Sequence, residues 1–527
     1  MNPRFVFRVD ASVTIGTGHV MRCLTLADAL RARGAECRFV TRDLPGHLAA
    51  VIEDRGFAVL LLPAPSGPVP QGPPTHVAWA GVSWEQDLAD TRTVIDGADW
   101  LVVDHYAFDA RWQQGLRDRV GRIMVIDDLA DRPHAADLLL DQNLGRAAQD
   151  YDGLLPEACR RLTGPRFALL RPEFRAARMA SLARRGAGQG VRHILISMGG
   201  TDMPDATSRV LDALSRADLP GELHLSVVMG RSAPALERVR ARAARMPWPT
   251  EVLVDVHDMA RLMQDADLAI GAGGSTTWER CCLGLPSIIV ETADNQAGAV
   301  AAMEAEAAAL GTGPLLDARF DDRLVQAVGQ AQQELEALSQ SAARVCDGEG
   351  VCRAVTEMGL GQIRVRKARM SDAEAIWHWR HHGDAAAFYL DPTPTPLVDH
   401  LAWFETALAS PSRDLLIVEY DEQPAAHVRF DRCLQHPDEA EISIYLNPLF
   451  RGKSMSTPFL LAAINMRHSS PYKHMIAKAH RSNEPSIRLF ISAGFERVSE
   501  TDQFVTLRTN EKSARFKRDD QQVSEGP

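Results

Sequence analysis

His19 stands directly behind a glycine pair in the run Arg8-Val9-Asp10-Ala11-Ser12-Val13-Thr14-Ile15-Gly16-Thr17-Gly18-His19-Val20-Met21-Arg22-Cys23. The run reads as a strand, a glycine turn and the start of a helix. Glycine permits a tight turn and close backbone approach, and exposed amides at a helix start favour an anionic or oxygen-rich ligand. An imidazole that titrates near neutrality is suited to take a proton from water. The same spacing also fits a histidine that only caps or packs at a helix start. Two more glycine turns follow predicted strands. One is Ser197-Met198-Gly199-Gly200-Thr201-Asp202, and the other is Gly271-Ala272-Gly273-Gly274-Ser275-Thr276-Thr277-Trp278-Glu279-Arg280, leading into a helix that closes at Gly284-Leu285-Pro286. Backbone amides at Gly274 and Ser275 can hold a diphosphate without a metal. Glu279, about one turn further, is placed for its carboxylate to accept both ribose hydroxyls, or equally to sit as a first-turn acid favoured by the helix dipole. None of the three turns has the Gly-Lys-Ser/Thr ending of a Walker loop, and none is a G-x-G-x-x-G dinucleotide turn.

The elements around these turns alternate between short β-rich runs and longer helical patterns. Strands are predicted at Phe5–Val9, Arg38–Val40, Val59–Leu62, Trp100–Val103, Ile123–Ile126 and Ala136–Leu140, with a helix over Met21–Arg33. A second set lies at His193–Ser197, His224–Val228, Glu251–Val254, Leu268–Gly271 and Ser287–Val290, and Arg171–Gly190 reads as the connection between the sets. This alternation predicts two doubly wound α/β domains, with a ligand cleft between them at the carboxyl ends of the strands. The rhythm changes after about residue 350. Ile363–Arg369 reads as a strand and Asp372–Arg380 as a helix with Ser371 as its N-cap. Leu415–Tyr420, Ala425–Asp431 and Glu441–Leu446 read as antiparallel strands, with a turn at Asp421-Glu422-Gln423-Pro424 and a helix from about Thr457.

The 527 residues suffice for several domains, and 45% apolar with 24% charged residues excludes wholesale disorder. Lys+Arg total 58 against 69 Asp+Glu, a net charge of −11, which argues against non-specific nucleic-acid or anionic-membrane binding. No apolar run reaches the roughly 18 residues of a membrane span, and the opening residues do not form a signal peptide. The eight cysteines (Cys23, Cys37, Cys159, Cys281, Cys282, Cys346, Cys352 and Cys433) contain no C-x-x-C pair, so neither a disulfide framework nor a structural zinc site is indicated. A soluble cytoplasmic protein is expected.

A family resemblance rests on many ordered segments. Arg8–Cys23, Val103-Asp104-His105-Tyr106, Ile126–Arg132, Leu139-Leu140-Asp141-Gln142-Asn143, Gly164–Phe174, Ser197–Asp202, Gly271–Pro286 and Asn295-Gln296 together resemble the pseudaminic acid pathway hydrolases, over about residues 4–355. These enzymes act on UDP-2,4-diacetamido-2,4,6-trideoxy-β-L-altropyranose. The resemblance implies a glycosyltransferase-B-like pair of Rossmann-like domains, 1–170 and 171–355, used for metal-independent, inverting hydrolysis. It also implies His19 as general base, Glu279 on the ribose, and Gly274 and Ser275 on the diphosphate. Asn295 and Gln296 would meet the sugar, Asp10 and Tyr106 would line its side, and the turns at Gly16, Gly18, Gly199 and Gly200 would complete the UDP-sugar site. His105 and His257 are expected to be structural.

Residues 362–510 resemble another family. Ile442–Ser456 is similar to the acetyl-CoA pyrophosphate loop of the GNAT N-acetyltransferases, and Asn483–Phe495 to their second cofactor segment. With Trp377-His378-Trp379-Arg380-His381-His382, the module is most similar to the pseudaminic acid pathway N-acetyltransferases, which acetylate a 4-amino UDP-sugar one step before the hydrolase. The resemblance implies an acetyl-CoA site at Leu446, Arg451, Gly452, Lys453, Ser454, Met455, Ser456, Asn483, Ser486 and Arg488. Ser454 and Ser456 replace the two glycines of that pattern, and Phe490 occupies a position where many members carry a proton-donating tyrosine. His381-His382 reads as an exposed helix end. Residues 511–527 are expected to be a disordered tail.

Overall fold

Runs such as Phe5-Val6-Phe7 and Leu101-Val102-Val103 are apolar at every position, which demands cover on both faces of a sheet. The computed structural model describes residues 2–186, 190–217, 222–293, 296–382, 395–433, 435–436, 438–452, 455–466 and 474–509. The tail 511–527 lies outside them. The chain divides into two units, Met1–Leu360 and Gly361–Pro527.

Among the described residues the first unit holds two sheets. β1 (Arg4–Val9), β2 (Glu36–Arg42), β3 (Ala58–Leu62), β4 (Ala98–Asp104), β5 (Val120–Ile126), β6 (Leu138–Asp141) and β7 (Arg160–Thr163) pair in parallel in the order β3-β2-β1-β4-β5-β6-β7. Alternate residues feed two cores, with Phe5, Phe7, Val102 and Met124 on one face and Val6, Leu101, Val103 and Ile123 on the other. β8 (His193–Ser197), β9 (His224–Met229), β10 (Thr250–Val254), β11 (Leu268–Ala272), β12 (Ser287–Glu291) and β13 (Leu310–Pro314) form a second parallel sheet, ordered β10-β9-β8-β11-β12-β13. These are the two Rossmann-like halves that the alternation predicts. In each, strand order reverses at the middle of the sheet, between β1 and β4 and between β8 and β11, where successive loops part and leave a crevice.

Three local expectations need correction. Arg171–Gly190 is not a mere connection, because Pro172–Arg185 is a helix fastened to the second half. Arg178 donates to the carbonyls of Cys346 and Ala343, Ser181 to that of Leu283, and Arg185 to those of Met263 and Ala266. Arg178 and Arg185 thus satisfy carbonyls left open at helix ends, while Arg175 and Arg184 pair with Glu349 and Asp267. Within this unit two strands, β7 and β13, were not foreseen. The helix Gly350–Glu357 returns to the first half and buries Val351, Ala354 and Val355 in its core.

In the second unit, β14 (Ile363–Lys367), β15 (Arg413–Tyr420), β16 (Gln423–Arg432), β17 (Glu439–Leu446), β18 (His474–His480), β19 (Phe495–Glu500) and β20 (Phe504–Thr509) form a mixed sheet. The β15–β16 hairpin turns where expected, with Asp421 and Glu422 both at positive φ. Ser371 is not the cap of the following helix, which runs over Ala373–His381 behind a short 3-10 turn at Met370–Asp372. The Asp372 carboxylate accepts from the Arg369 amide and pairs with Arg366, locking that turn in place. Among the described residues, β17 and β18 pair in parallel over Glu439–Glu441 and His474–Ile476, so the two strands part beyond Glu441.

Candidate active site

The loops at the two crevices of the first unit enclose a cavity of about 430 Å3. From the first half come Ile15–His19, Arg22, Tyr106, Asp128 and the loop Gln142–Arg146. From the second come Gly273-Gly274-Ser275, Trp278, Gln296, Gly298 and Ala299. Gly16, Gly18, His19, Tyr106, Gly274, Ser275 and Gln296, separated by up to 280 positions in sequence, therefore meet on one wall-to-wall space. Gly16 takes φ +80°, a conformation in which a side chain is strained, and its amide closes the turn onto the Ser12 carbonyl.

His19 is the second residue of the helix Gly18–Arg31. Its Nδ1 lies 2.6 Å from Oδ1 of Asp104, the last residue of β4. Asp104 is buried, and burial alone would raise its pKa. Arg22, which binds both carboxylate oxygens at 2.6 and 2.7 Å, together with His19 instead holds it well below the usual carboxylate range. An ionised carboxylate only accepts, so Nδ1 carries the proton and donates it to Asp104, leaving the lone pair of the neutral ring on Nε2. The tautomer and ring plane are thus fixed by a partner 85 residues away. Tyr106 and Trp79 flank the imidazole edge-on, at centroid distances of 4.8 and 5.9 Å, and stack on each other at 5.1 Å. The Tyr106 hydroxyl donates to Asp128, which also accepts from Arg22 at 2.8 Å and from the Asn143 amide at 3.0 Å. The first-half wall is consequently one connected polar network rather than a set of loose side chains.

Across the cavity, the turn Gly273–Ser275 is braced from below by buried Arg280, which donates to the Ala272 carbonyl and the Thr277 hydroxyl, both at 3.0 Å. Glu279 opens onto an adjoining small cavity together with Arg171, Ser275 and Trp278. Burial pushes its carboxyl up to about 7, with Arg171 3.7 Å away opposing the shift. The Gln296 amide is engaged with Thr292, its Oε1 accepting from the Thr292 amide at 2.9 Å. Asn295 lies outside the described residues.

Three other expected residues sit elsewhere. Asp10 is fully buried behind the cavity, where it accepts from Arg8 at 2.6 Å, from the Arg42 amide at 2.7 Å and from the Thr41 hydroxyl at 3.1 Å. Gly199 and Gly200 are exposed at the end of β8, and the Gly200 carbonyl accepts from the Gly230 amide at 2.9 Å. None of the three is among the residues lining either cavity. His105 is buried with its Nε2 3.2 Å from Asp10, and burial lowers its pKa. Conversely, Asp104, Arg22, Asp128, Asn143, Arg146 and Trp278 belong to the site and were not singled out. An acid closing a central parallel strand at the switch point was the signal available for Asp104. Among the described residues, no group of three or more His, Cys, Asp or Glu side chains is arranged to hold a metal ion, and no helix is long and apolar enough to cross a membrane.

In the second unit the cofactor candidates are placed differently. Leu446 ends β17 on the stretch beyond its β18 pairing, and Gly452 takes φ +73° before the helix Ser456–Asn465, with Met455 as the residue that precedes it. Arg451 is committed to structure: it donates to the carbonyls of Trp379 (2.8 Å), His382 (3.2 Å) and Leu446 (3.3 Å). Asn483 caps the helix Glu484–Ser492 by accepting from the Ser486 amide, and Arg488 pairs with Glu484 at 2.7 Å on the surface. Phe490 is in the core against Phe495. His381 Nδ1 donates to the Trp377 carbonyl, 2.8 Å away. Lys453 and Ser454 lie outside the described residues.

Comparison with known proteins follows the same division. Residues 193–349 match the family described as glycosyltransferase family 28 C-terminal domain, and residues 362–496 match the acetyltransferase (GNAT) domain. The chain is similar to a UDP-sugar hydrolase and, beyond it, to GNAT acetyltransferases. It is 24% identical over 283 residues to the UDP-2,4-diacetamido-2,4,6-trideoxy-beta-L-altropyranose hydrolase of Campylobacter jejuni, covering 53% of this chain and 88% of that one. It is 22% identical over 499 residues to the uncharacterized protein MJ1062 of Methanocaldococcus jannaschii, covering 93% of this chain and 96% of that one. The crystal structure of Acinetobacter baumannii MurG aligns with a TM-score of 0.48 and 15% identity, over 68% of this chain and 99% of that one. The chain therefore joins a nucleotide-sugar hydrolase- or glycosyltransferase-like region to a GNAT domain.

Proposed function

We propose that the first unit hydrolyses UDP-2,4-diacetamido-2,4,6-trideoxy-β-L-altropyranose to UDP and the free sugar in pseudaminic acid biosynthesis, a cytoplasmic pathway step. The observation that carries this reading is the convergence of an oriented histidine from one half and a glycine turn from the other on a single cavity. Water held at His19 Nε2 attacks the anomeric carbon as the imidazole takes one of its protons. The bond from that carbon to the diphosphate oxygen breaks on the opposite face, its electron pair leaves with UDP, and the sugar inverts. Asp104 keeps the ring in the reactive tautomer and stabilises the imidazolium that forms. The amides of Gly274 and Ser275 hold the diphosphate, and Glu279 the ribose hydroxyls. Tyr106 and Gln296 border the sugar, whereas Asp10 acts through the Arg8 and Arg42 network that supports the wall. UDP is a good leaving group, so orienting one water and receiving the departing charge account for most of what the site must do without a metal.

The second unit is proposed to transfer the acetyl group of acetyl-CoA to the 4-amino group of the precursor UDP-sugar. The GNAT match and the parting of β17 from β18 beyond Glu441 support it, since an extended cofactor arm can then run along that stretch of β17. The amine nitrogen attacks the thioester carbonyl, the amine loses a proton, and CoA thiolate departs. Phe490 supplies no proton, and a thiolate with an ordinary pKa of about 8.5 leaves without one. The structural commitments of Arg451 and Asn483 favour a second reading of this unit, a GNAT fold that no longer turns over.

One experiment separates these readings. Purified protein is given the 4-amino UDP-sugar with acetyl-CoA, and products are identified by NMR. N-acetylated sugar plus free UDP without any added acceptor is the expected result. UDP release only when an acceptor is added marks a glycosyltransferase, and an unacetylated sugar marks a silent second unit.

A further inference from the structure

Two cationic side chains line the cavity, Arg22 and Arg146. Arg22 binds Asp104 through two nitrogens and Asp128 through the third. Arg146 is held loosely. Its Nε is 2.9 Å from Asp141 without an aligned hydrogen bond, its Nη1 is 3.6 Å from Asp150, and Nη2 reaches the Asp128 and Leu129 carbonyls at 3.3 and 3.4 Å. Burial and neighbouring Asp128 push the Asp141 carboxyl up to about 6, with the Arg146 guanidinium opposing the shift.

The loop that bears Arg146 belongs to the first half but is anchored in the second. Leu144 packs against the core formed by Phe174, Trp278, Val300 and Met303. Gly145 takes φ +81°, and a Cβ there would lie 3.0 Å from the Cβ of Ala302. The loop thus crosses the cleft and brings Arg146 to the same space as the Gly273–Ser275 turn.

We propose that Arg146 is a catalytic residue of the hydrolysis, its guanidinium meeting the β-phosphate oxygen that takes up the electron pair of the breaking anomeric bond. The inference rests on the hydrolase reading above. As water adds to the anomeric carbon and His19 takes its proton, one negative charge shifts from the attacking side to the diphosphate. A guanidinium already at the cavity wall meets that charge with paired N–H donors and no change in its own protonation. The contact strengthens as the bond breaks, so it acts on kcat more than on ground-state affinity.

The test is steady-state kinetics of the full chain with the diacetamido UDP-sugar, alongside UDP inhibition and thermal melting. Arg146→Gln is expected to lower kcat about a hundredfold while KM moves less than about fivefold, and to weaken UDP inhibition, because free UDP carries the same charge on its terminal phosphate. Arg146→Lys restores charge without the fork and recovers part of the loss. Gly145→Ala, with Arg146 intact, lowers kcat about tenfold by disturbing the loop's seat. Should Arg146→Gln fold poorly, Arg146→Lys and Gly145→Ala carry the test. Turnover within about threefold of wild type in Arg146→Gln, or a loss confined to KM, overturns the role of Arg146 alone. A wild type that releases no UDP without an acceptor overturns the hydrolase reading and the role with it.

Discussion

The cleft of the first unit and the cofactor segment of the second were read from sequence by the same means, and they fare differently. In the cleft, seven of the residues singled out converge on one cavity, because parallel α/β sheets deliver the loops after their strands to a shared edge. In the second unit, Arg451, Asn483, Ser486 and Arg488 are occupied by carbonyls, helix caps and a surface ion pair. A motif marks where a segment runs. Whether its side chains face a ligand or brace the fold is decided by neighbours that the motif does not contain.

That contrast can be broken or sharpened by mutation. The largest effect belongs to His19→Ala, expected to lower kcat for UDP-sugar hydrolysis about a thousandfold with little change in UDP binding, measured by NMR or coupled UDP release. A variant within tenfold of wild type would leave the cleft no better defined than the GNAT segment. Next, Asp104→Asn removes the charge that fixes the tautomer and is expected to cost about a hundredfold in kcat with UDP affinity preserved, as read by calorimetry. Ordinary turnover by that variant would mean that His19 needs no orientation.

A smaller effect concerns Glu279. Burial raises its folded pKa to about 7, so the ionised form that the proposed ribose contact requires prevails only above that pH. Uridine, which has no phosphate to titrate, should bind up to about tenfold more tightly as pH rises through 7, and Glu279→Gln should flatten the curve. For folding the sign is reversed: a carboxyl with a raised pKa costs stability when ionised, so its penalty fades as pH falls from about 7 towards the ordinary glutamate value. The smallest functional effect is expected at Arg451. Replacing it by alanine frees three carbonyls and lowers stability by about 2 kcal/mol, while acetyl-CoA affinity changes threefold or less. A loss of affinity beyond tenfold would restore Arg451 to the cofactor site.

The fold was largely legible because its signals are periodic. Apolar runs separated by helical patterns specify two doubly wound halves, and the change of rhythm near residue 350 marks the third sheet. What escaped in the first unit was either short or polar. Arg160–Thr163 carries two arginines and Leu310–Pro314 two glycines and a proline, yet each finds a strand edge to pair with. The helix Pro172–Arg185 hides behind arginines whose partners are carbonyls of the second half. In the site, His19 was visible because its turn is local. Asp104 and Asp128 were not, because they pair with His19 and Arg22 across 82 to 106 residues, a meeting that only the sheet order creates.

The central claim is a single displacement by water, with the base on one half and the departing diphosphate on the other. Proton NMR of the anomeric centre, followed from the first seconds of turnover, tests it directly. The account predicts that the free sugar first formed has the opposite anomeric configuration to the substrate and equilibrates afterwards. A first product with the configuration retained would mean that water does not displace UDP at the anomeric carbon, and would contradict the single displacement assigned to the water at His19.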